Sequence, residues 1–275
     1  MSVTHVKLTK AIERLYAGSG IKMIEPVLVK KVEPLIELSS DQLEYLNGGD
    51  GQKPEQYKQI NSSTGLAVNY YKLLESTGKI QDLIFENQVA IPLARGRYAN
   101  LDVSYCKDGK LYFVESKFLE PYYSKNEKNS ESYLDPSKYA KDTDHVKEWI
   151  GLFTQADKFQ FYNVSQLCRH LLAIYRFTRK NDSTYAGEPI ELQSVIWMMT
   201  DLFLRGLGND EKTEMGERIK KIDEEAENCK KLMDDFIRRI GWKNMTFNVK
   251  HYNDMLCDIS STEKFSEFCK RYFLK

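Results

Sequence analysis

Read as a pattern of apolar and polar positions, the chain changes character three times. Residues 1–46 alternate short apolar stretches with charge, and the run Asn47-Gly48-Gly49-Asp50-Gly51 predicts a loop. Ser62 or Ser63 can cap a helix running to about Ser76, with Leu66, Tyr70, Leu73 and Leu74 on one face and Gly78 beyond its end. Three β-rich runs follow, Asp82 to Leu93, Tyr98 to Cys106 and Leu111 to Phe118. Lys107-Asp108-Gly109-Lys110 joins the last two, and Asp-Gly between strand patterns predicts a tight hairpin. The stretch from Ser124 to Asp144 is polar and reads as a mobile insertion. A helix from about Asp157 to Phe177 and a buried strand, Leu192 to Thr200, complete an order of helix, three strands, helix, strand. Between Glu211 and Ile240 apolar residues recur at spacings of three and four, which predicts one long amphipathic helix. A short mixed segment after Trp242 then leads to a terminal helix near Glu263 to Phe273.

This order predicts an α/β fold. Residues 61–205 form its core, 1–60 an extension packed on that core, and 206–275 a helical C-terminal extension, all in one compact unit. In a chain of 275 residues, 41% hydrophobic and 12% aromatic content is enough to build a packed interior. No run approaches the roughly 18 uncharged apolar residues of a membrane span, so no membrane partner is expected. Lys7, Lys10, Glu13 and Arg14 break up the N-terminal apolar positions, unlike a secretory signal. Five cysteines without a CxxC pair read as reduced thiols of a cytoplasmic protein, not a disulfide framework or zinc site.

Charge changes the picture only when it is located. The 40 basic and 40 acidic residues cancel, which excludes a protein that coats nucleic acid by bulk charge. Yet Lys158, Arg169, Arg176, Arg179 and Lys180 fall in a stretch with no acidic residue. With Arg95, Arg97 and the lysines of 124–141 they define a local basic surface, read either as phosphate contacts or as solvated charge. Tyr122, Tyr123, Tyr133 and Tyr139 are read either as ordinary packing or as surfaces for unpaired bases.

The candidate chemistry lies on the hairpin. A two-residue loop at Asp108-Gly109 pairs positions whose numbers sum to 217, so Phe113 faces Ser104, Glu115 faces Asp102 and Lys117 faces Asn100. Two carboxylates opposed on neighbouring strands repel, and a shared proton, a cation or full solvation must offset that repulsion. Two carboxylates and several retained waters suit Mg²⁺. A nearby ammonium can orient or deprotonate an attacking water and oppose charge on a phosphate. The bland alternative is an exposed sheet face with casually paired charges.

Leu101-Asp102-Val103, followed by Val114-Glu115-Ser116-Lys117, resembles the hairpin signature of the PD-(D/E)XK nuclease superfamily, the restriction endonuclease-like enzymes. That family's core is also helix, three strands, helix, strand. The resemblance implies a restriction endonuclease-like core with a mixed central sheet flanked by helices, and a metal-dependent nuclease that hydrolyses DNA phosphodiester bonds. It implies Asp102, Glu115 and the Ser116 carbonyl as ligands of Mg²⁺ or Mn²⁺, and Lys117 as the catalytic lysine. Leu101 replaces the usual proline. The first helix offers only Glu75 as the further acid often found there, so Glu86 is the substitute candidate. Some branches carry glutamine on the following helix with tyrosine four residues later; here these are Gln166 and His170, on one helix face. Arg95, Arg97, Lys158 and Arg169 are the expected DNA contacts. DNA is the expected partner, with RNA as an alternative, and cutting both strands of a duplex would call for a homodimer. The alternative function is a catalytically inactive nuclease-like module for DNA binding or assembly.

Overall fold

A two-residue turn sets the sheet. Asp108 and Gly109 have φ of 51° and 71°, the pair of positive values that a type I′ hairpin needs. The computed structural model describes residues 4–23, 30–48, 55–93, 97–124, 126–129, 131–139, 143–179 and 187–273, with backbone alone at 47–48, 88–93 and 97–98. Strands β1 (Gln81–Leu93), β2 (Arg97–Lys107) and β3 (Lys110–Lys117) form an antiparallel meander. β4 (Ile190–Ile196) and β5 (Met245–His251) then add in parallel, giving the order β1-β2-β3-β4-β5 among the described residues.

The helices are α1 (His5–Gly18), α2 (Ser40–Gly48), α3 (Ser63–Ser76), α4 (Glu120–Tyr123), α5 (Val146–Ala156), α6 (Val164–Thr178), α7 (Asp201–Arg205), α8 (Asn209–Arg239) and α9 (Phe265–Tyr272). The chain is thus an α/β protein with a mixed sheet flanked by helices. None of the described helices is long and apolar enough to cross a membrane.

Strand alternation divides the core in two. On β4, Ile190, Leu192 and Ile196 join a cluster with Trp149 of α5, Leu171 of α6 and Phe236 of α8. Val195 and the following Trp197 join the other, with Leu66 and Tyr70 of α3, Ile12 of α1 and Phe268 of α9. α3 starts where Ser62 Oγ accepts from the Gly65 amide at 3.1 Å, and it ends before Gly78, whose φ is 73°. Its interior position exceeds the predicted single face: Ala67, Val68 and Tyr71 are buried as well. A β-carbon added at Gly65 would lie 2.3 Å from the Tyr57 carbonyl oxygen, so glycine is what lets the first turn of α3 sit this close to its neighbour.

Four expectations change. The helix expected from Asp157 begins only at Val164. No Gly or Pro interrupts residues 157–163; instead Glu225 of α8 takes the amide protons of Gln160, Phe161 and Tyr162 at 2.9, 2.8 and 2.8 Å, holding the backbone out of a helix. Asn163 then caps α6 by accepting from the Gln166 amide. The expected mobile insertion contains ordered packing, with the Asn129 amide bonded to Asp157 and Ser165, and α5 follows it. The mixed segment after Trp242 includes β5, whose pairing with β4 covers what would otherwise be an open edge. The loop expected at Asn47–Gly51 begins inside the end of α2, and Gly49 to Gly51 lie outside the described residues.

A candidate functional site at the end of the hairpin

The hairpin register follows the sum rule from Lys107 opposite Lys110 to Val103 opposite Val114. There the ladder stops, so the expected direct pairs Asp102–Glu115 and Asn100–Lys117 are not part of it. Asp102 reaches across with its side chain instead: Oδ2 accepts from the Ser116 amide at 2.6 Å. On β2, Ala99 and Leu101 belong to one core cluster and Val103 and Tyr105 to the other, although all four share parity. Alternation therefore breaks at Asp102. The β1–β2 register, with Phe85 opposite Val103 and Asn87 opposite Leu101, sets Glu86 against Asp102, and Glu86 has the left-handed φ of 50°. A non-glycine residue in that region within a strand is strained and marks a local change of direction.

β3 presents Glu115 and Lys117 on one face, as period-two alternation requires. Lys117 Nζ donates to Glu115 Oε1 at 2.5 Å. His170 of α6 brings Nε2 to 2.9 Å from Glu115 Oε2, without hydrogen-bond alignment. Both residues are buried, and neither Oε2 nor the His170 ring nitrogens find a hydrogen-bond partner among the described residues. Between Glu115 and Lys117, Ser116 faces the opposite side and ties the strand to its surroundings: its hydroxyl donates to the Ser63 carbonyl of α3 and shares a 2.8 Å contact with the Tyr252 hydroxyl.

The carboxylates are driven apart electrostatically. Burial, Glu115 and Glu86 push the Asp102 carboxyl well above the ordinary range, against Lys117 and the Ser116 hydrogen bond. Burial also raises Glu115, but Lys117 and His170 outweigh it and hold that carboxyl down at about 2. Burial lowers Lys117, and Glu115, Glu120 and Asp102 overcome it, so its ammonium is held charged above the ordinary lysine range. Glu86, also buried, accepts from Thr64 Oγ1 of α3 at 3.2 Å.

A family model described as restriction endonuclease associating with ARP matches residues 37–187, more than half of the chain. The chain belongs to that family. None of the curated proteins or solved structures compared with it matches significantly. In this member of that family, the match covers β1 and the hairpin, which carry the acidic groups and Lys117, and also α3 and α6, which bring Thr64 and His170 to them.

Other sequence candidates separate into those near this site and those away from it. Gln166 lines a cleft with Lys117, while its side chain carbonyl accepts from Asn163 at 3.1 Å. Arg169 lines the same cleft, 3.6 Å from Glu127. Lys158 lies in the turn before α6 and donates to Gln155, not into the site. Arg179 pairs with Asp144 at 2.5 Å. Two of the expected basic residues, Arg169 and Arg179, thus face acids brought by the segment before α5. Arg95 and Lys180 lie outside the described residues, and the side chain of Arg97 is likewise outside them. Glu75 pairs with Lys72 at 2.5 Å.

The tyrosines resolve toward packing. Tyr122 is fully buried and donates to the Trp197 carbonyl at 2.9 Å; Tyr139 donates to the Tyr133 carbonyl at 2.7 Å. Thr64, Glu120, Tyr252 and Glu225 support the site or its wall, and no spacing in the sequence singles them out. A hydroxyl or carboxylate acting at long range carries no local signature.

Carboxylates and a backbone carbonyl are oxygen donors of the kind a hard cation takes. Glu115 Oε2 is buried and makes no aligned hydrogen bond, though His170 Nε2 lies 2.9 Å from it, and Asp102 is raised by neighbouring negative charge that a cation would relieve. Among the described residues no group of three or more His, Cys, Asp or Glu is arranged to hold a metal ion.

Proposed function

We propose that this protein is a metal-dependent DNA nuclease of the PD-(D/E)XK type, most simply an endonuclease. The observation that supports this reading is the grouping of Asp102, Glu115 and Lys117 at the end of the hairpin within a restriction endonuclease-associated chain. Asp102, Glu115 and the Ser116 carbonyl are the proposed holders of Mg²⁺ or Mn²⁺. When bound, such an ion supplies a water of lowered pKa and neutralises charge on the phosphate. Lys117, held charged, serves as a fixed cation that orients the water and opposes charge on the scissile group; its raised proton affinity argues against the role of base. His170 braces Glu115 from the α6 side, and the Ser116 amide fixes the rotamer of Asp102.

The test is incubation of the pure protein with plasmid and with linear single-stranded DNA, in Mg²⁺ or Mn²⁺ and again with EDTA. Metal-dependent cutting that disappears in Asp102→Ala and Lys117→Ala is the expected result. Equal cutting by wild type and Asp102→Ala would overturn the mechanism.

A further inference from the structure

Beside Lys117 lies a cleft of about 280 Å³. That is just below the roughly 300–1,000 Å³ of drug-sized ligand sites, and on the scale of a single nucleoside. A base pair with its two backbones does not fit such a space. Phe161 and Pro121 give it an aromatic and an apolar wall, and the amides of Asn163 and Gln166 line it from the start of α6. Arg218 and Lys221, three residues apart on α8, hold the Phe161 ring with their cations 4.8 and 5.6 Å from its centroid. The three Glu225 hydrogen bonds fix the backbone of the same wall.

Most of the charged groups of the cleft already have partners. Lys117 is bound to Glu115, Arg169 faces Glu127, and Glu120 accepts from the Phe118 amide at 3.0 Å. A pocket built for phosphate would carry a surplus of cations; this one is balanced. What remains for a ligand is the part of the Phe161 ring that lines the cleft and a side-chain amide whose Nε2 group, on Gln166, bonds to no described residue. An amide beside an aromatic wall matches a base, which offers a π face and an edge of donors and acceptors.

We infer that this cleft receives one unpaired nucleobase of the substrate strand, so that the protein acts on single-stranded or locally opened DNA rather than on continuous duplex. The inference rests on the nuclease reading for the identity of the strand and of the reacting centre beside it.

The experiment measures binding by fluorescence anisotropy in EDTA, where no cutting occurs, using the full chain and labelled DNA oligonucleotides. Single strand is expected to bind about tenfold more tightly than duplex of the same sequence, the scale of one stacked base. Replacing one nucleotide at a time by an abasic unit should remove that advantage at a single position. Gln166→Ala and Phe161→Ala should lose it while duplex binding stays unchanged; Gln166→Ala keeps the test valid if the Phe161 variant unfolds. Duplex binding as tight as single strand, or equal tolerance of abasic units at every position, overturns the inference. Metal-dependent cutting without any single-strand preference sinks the cleft assignment and leaves the nuclease reading intact. An abasic-sensitive single-strand preference with no cutting in any metal sinks the nuclease reading and leaves the cleft.

Discussion

Lys117 Nζ lies 2.5 Å from Glu115 Oε1, two residues back on the same face of β3. The side chain of Glu115 is 3% exposed and that of Lys117 is 17%, so this is a pair taken largely out of water. Such a pair adds little over an apolar replacement of both partners, whereas removing one partner strands the other charge.

Lys117→Ala should therefore lose stability as well as activity, by about 3–5 kcal/mol in chemical denaturation at neutral pH. Cutting per folded molecule should fall by about 10²–10³, the usual cost of losing one electrostatic contact to a reacting group. The double variant Glu115→Gln with Lys117→Met should recover most of the stability and none of the cutting. A double variant as unstable as Lys117→Ala would show that the pair is not the source of the loss.

Asp102 presents the opposite case. Its carboxyl is raised by burial and by Glu115 and Glu86, so its charge opposes folding and the penalty grows as pH rises through the raised value. Asp102→Asn keeps an oxygen to accept from the Ser116 amide and removes that penalty. Its Tm at pH 8 should equal or exceed that of the wild type, with cutting reduced by at least about 100-fold. A lower Tm in this variant would contradict the electrostatic account.

Glu115 fixes a pH window. Held at about 2 against an ordinary 4.5, it contributes stability that is fully present above 4.5 and is lost as pH falls toward 2. Glu115→Gln should be less stable than wild type at pH 6, and the gap should close as the buffer is taken down to pH 2.5. Urea midpoints across that range give the answer; a gap that stays constant would assign the stabilisation elsewhere.

Glu225 accepts three consecutive amide protons and so shapes the wall of the cleft from α8. Hydrogen bonds to a charged acceptor contribute about 1.5–3 kcal/mol each, though three on one carboxylate do not add fully. Glu225→Ala should cost about 2–3 kcal/mol and speed hydrogen exchange at Gln160, Phe161 and Tyr162. Unchanged protection at those amides would remove Glu225 from its bracing role.

Local chemistry made the central elements legible. Ser62 and Gly78 bracket α3, Asp108-Gly109 demands a type I′ turn, and that turn fixes the register from Lys107 to Val103. The apolar spacing from Met215 to Phe236 anticipates α8 closely. These signals are written within a few residues of the structure they produce.

What lay beyond the sequence is set by distant partners. The break before α6 carries no Gly or Pro; it exists because Glu225, more than sixty residues on, captures the amides that a helix would use. β5 looked like a mixed segment because its pattern makes sense only beside β4. The face exchange at Asp102 and the left-handed Glu86 opposite it arise where two strands are bent together. The sequence by itself determined the hairpin, its register from Lys107 to Val103, and which carboxylates and lysine the two strands carry, because turn chemistry acts locally. Only the tertiary structure decided which charges are buried together and which cleft lies beside them, because burial and pairing depend on segments that meet only in the folded chain.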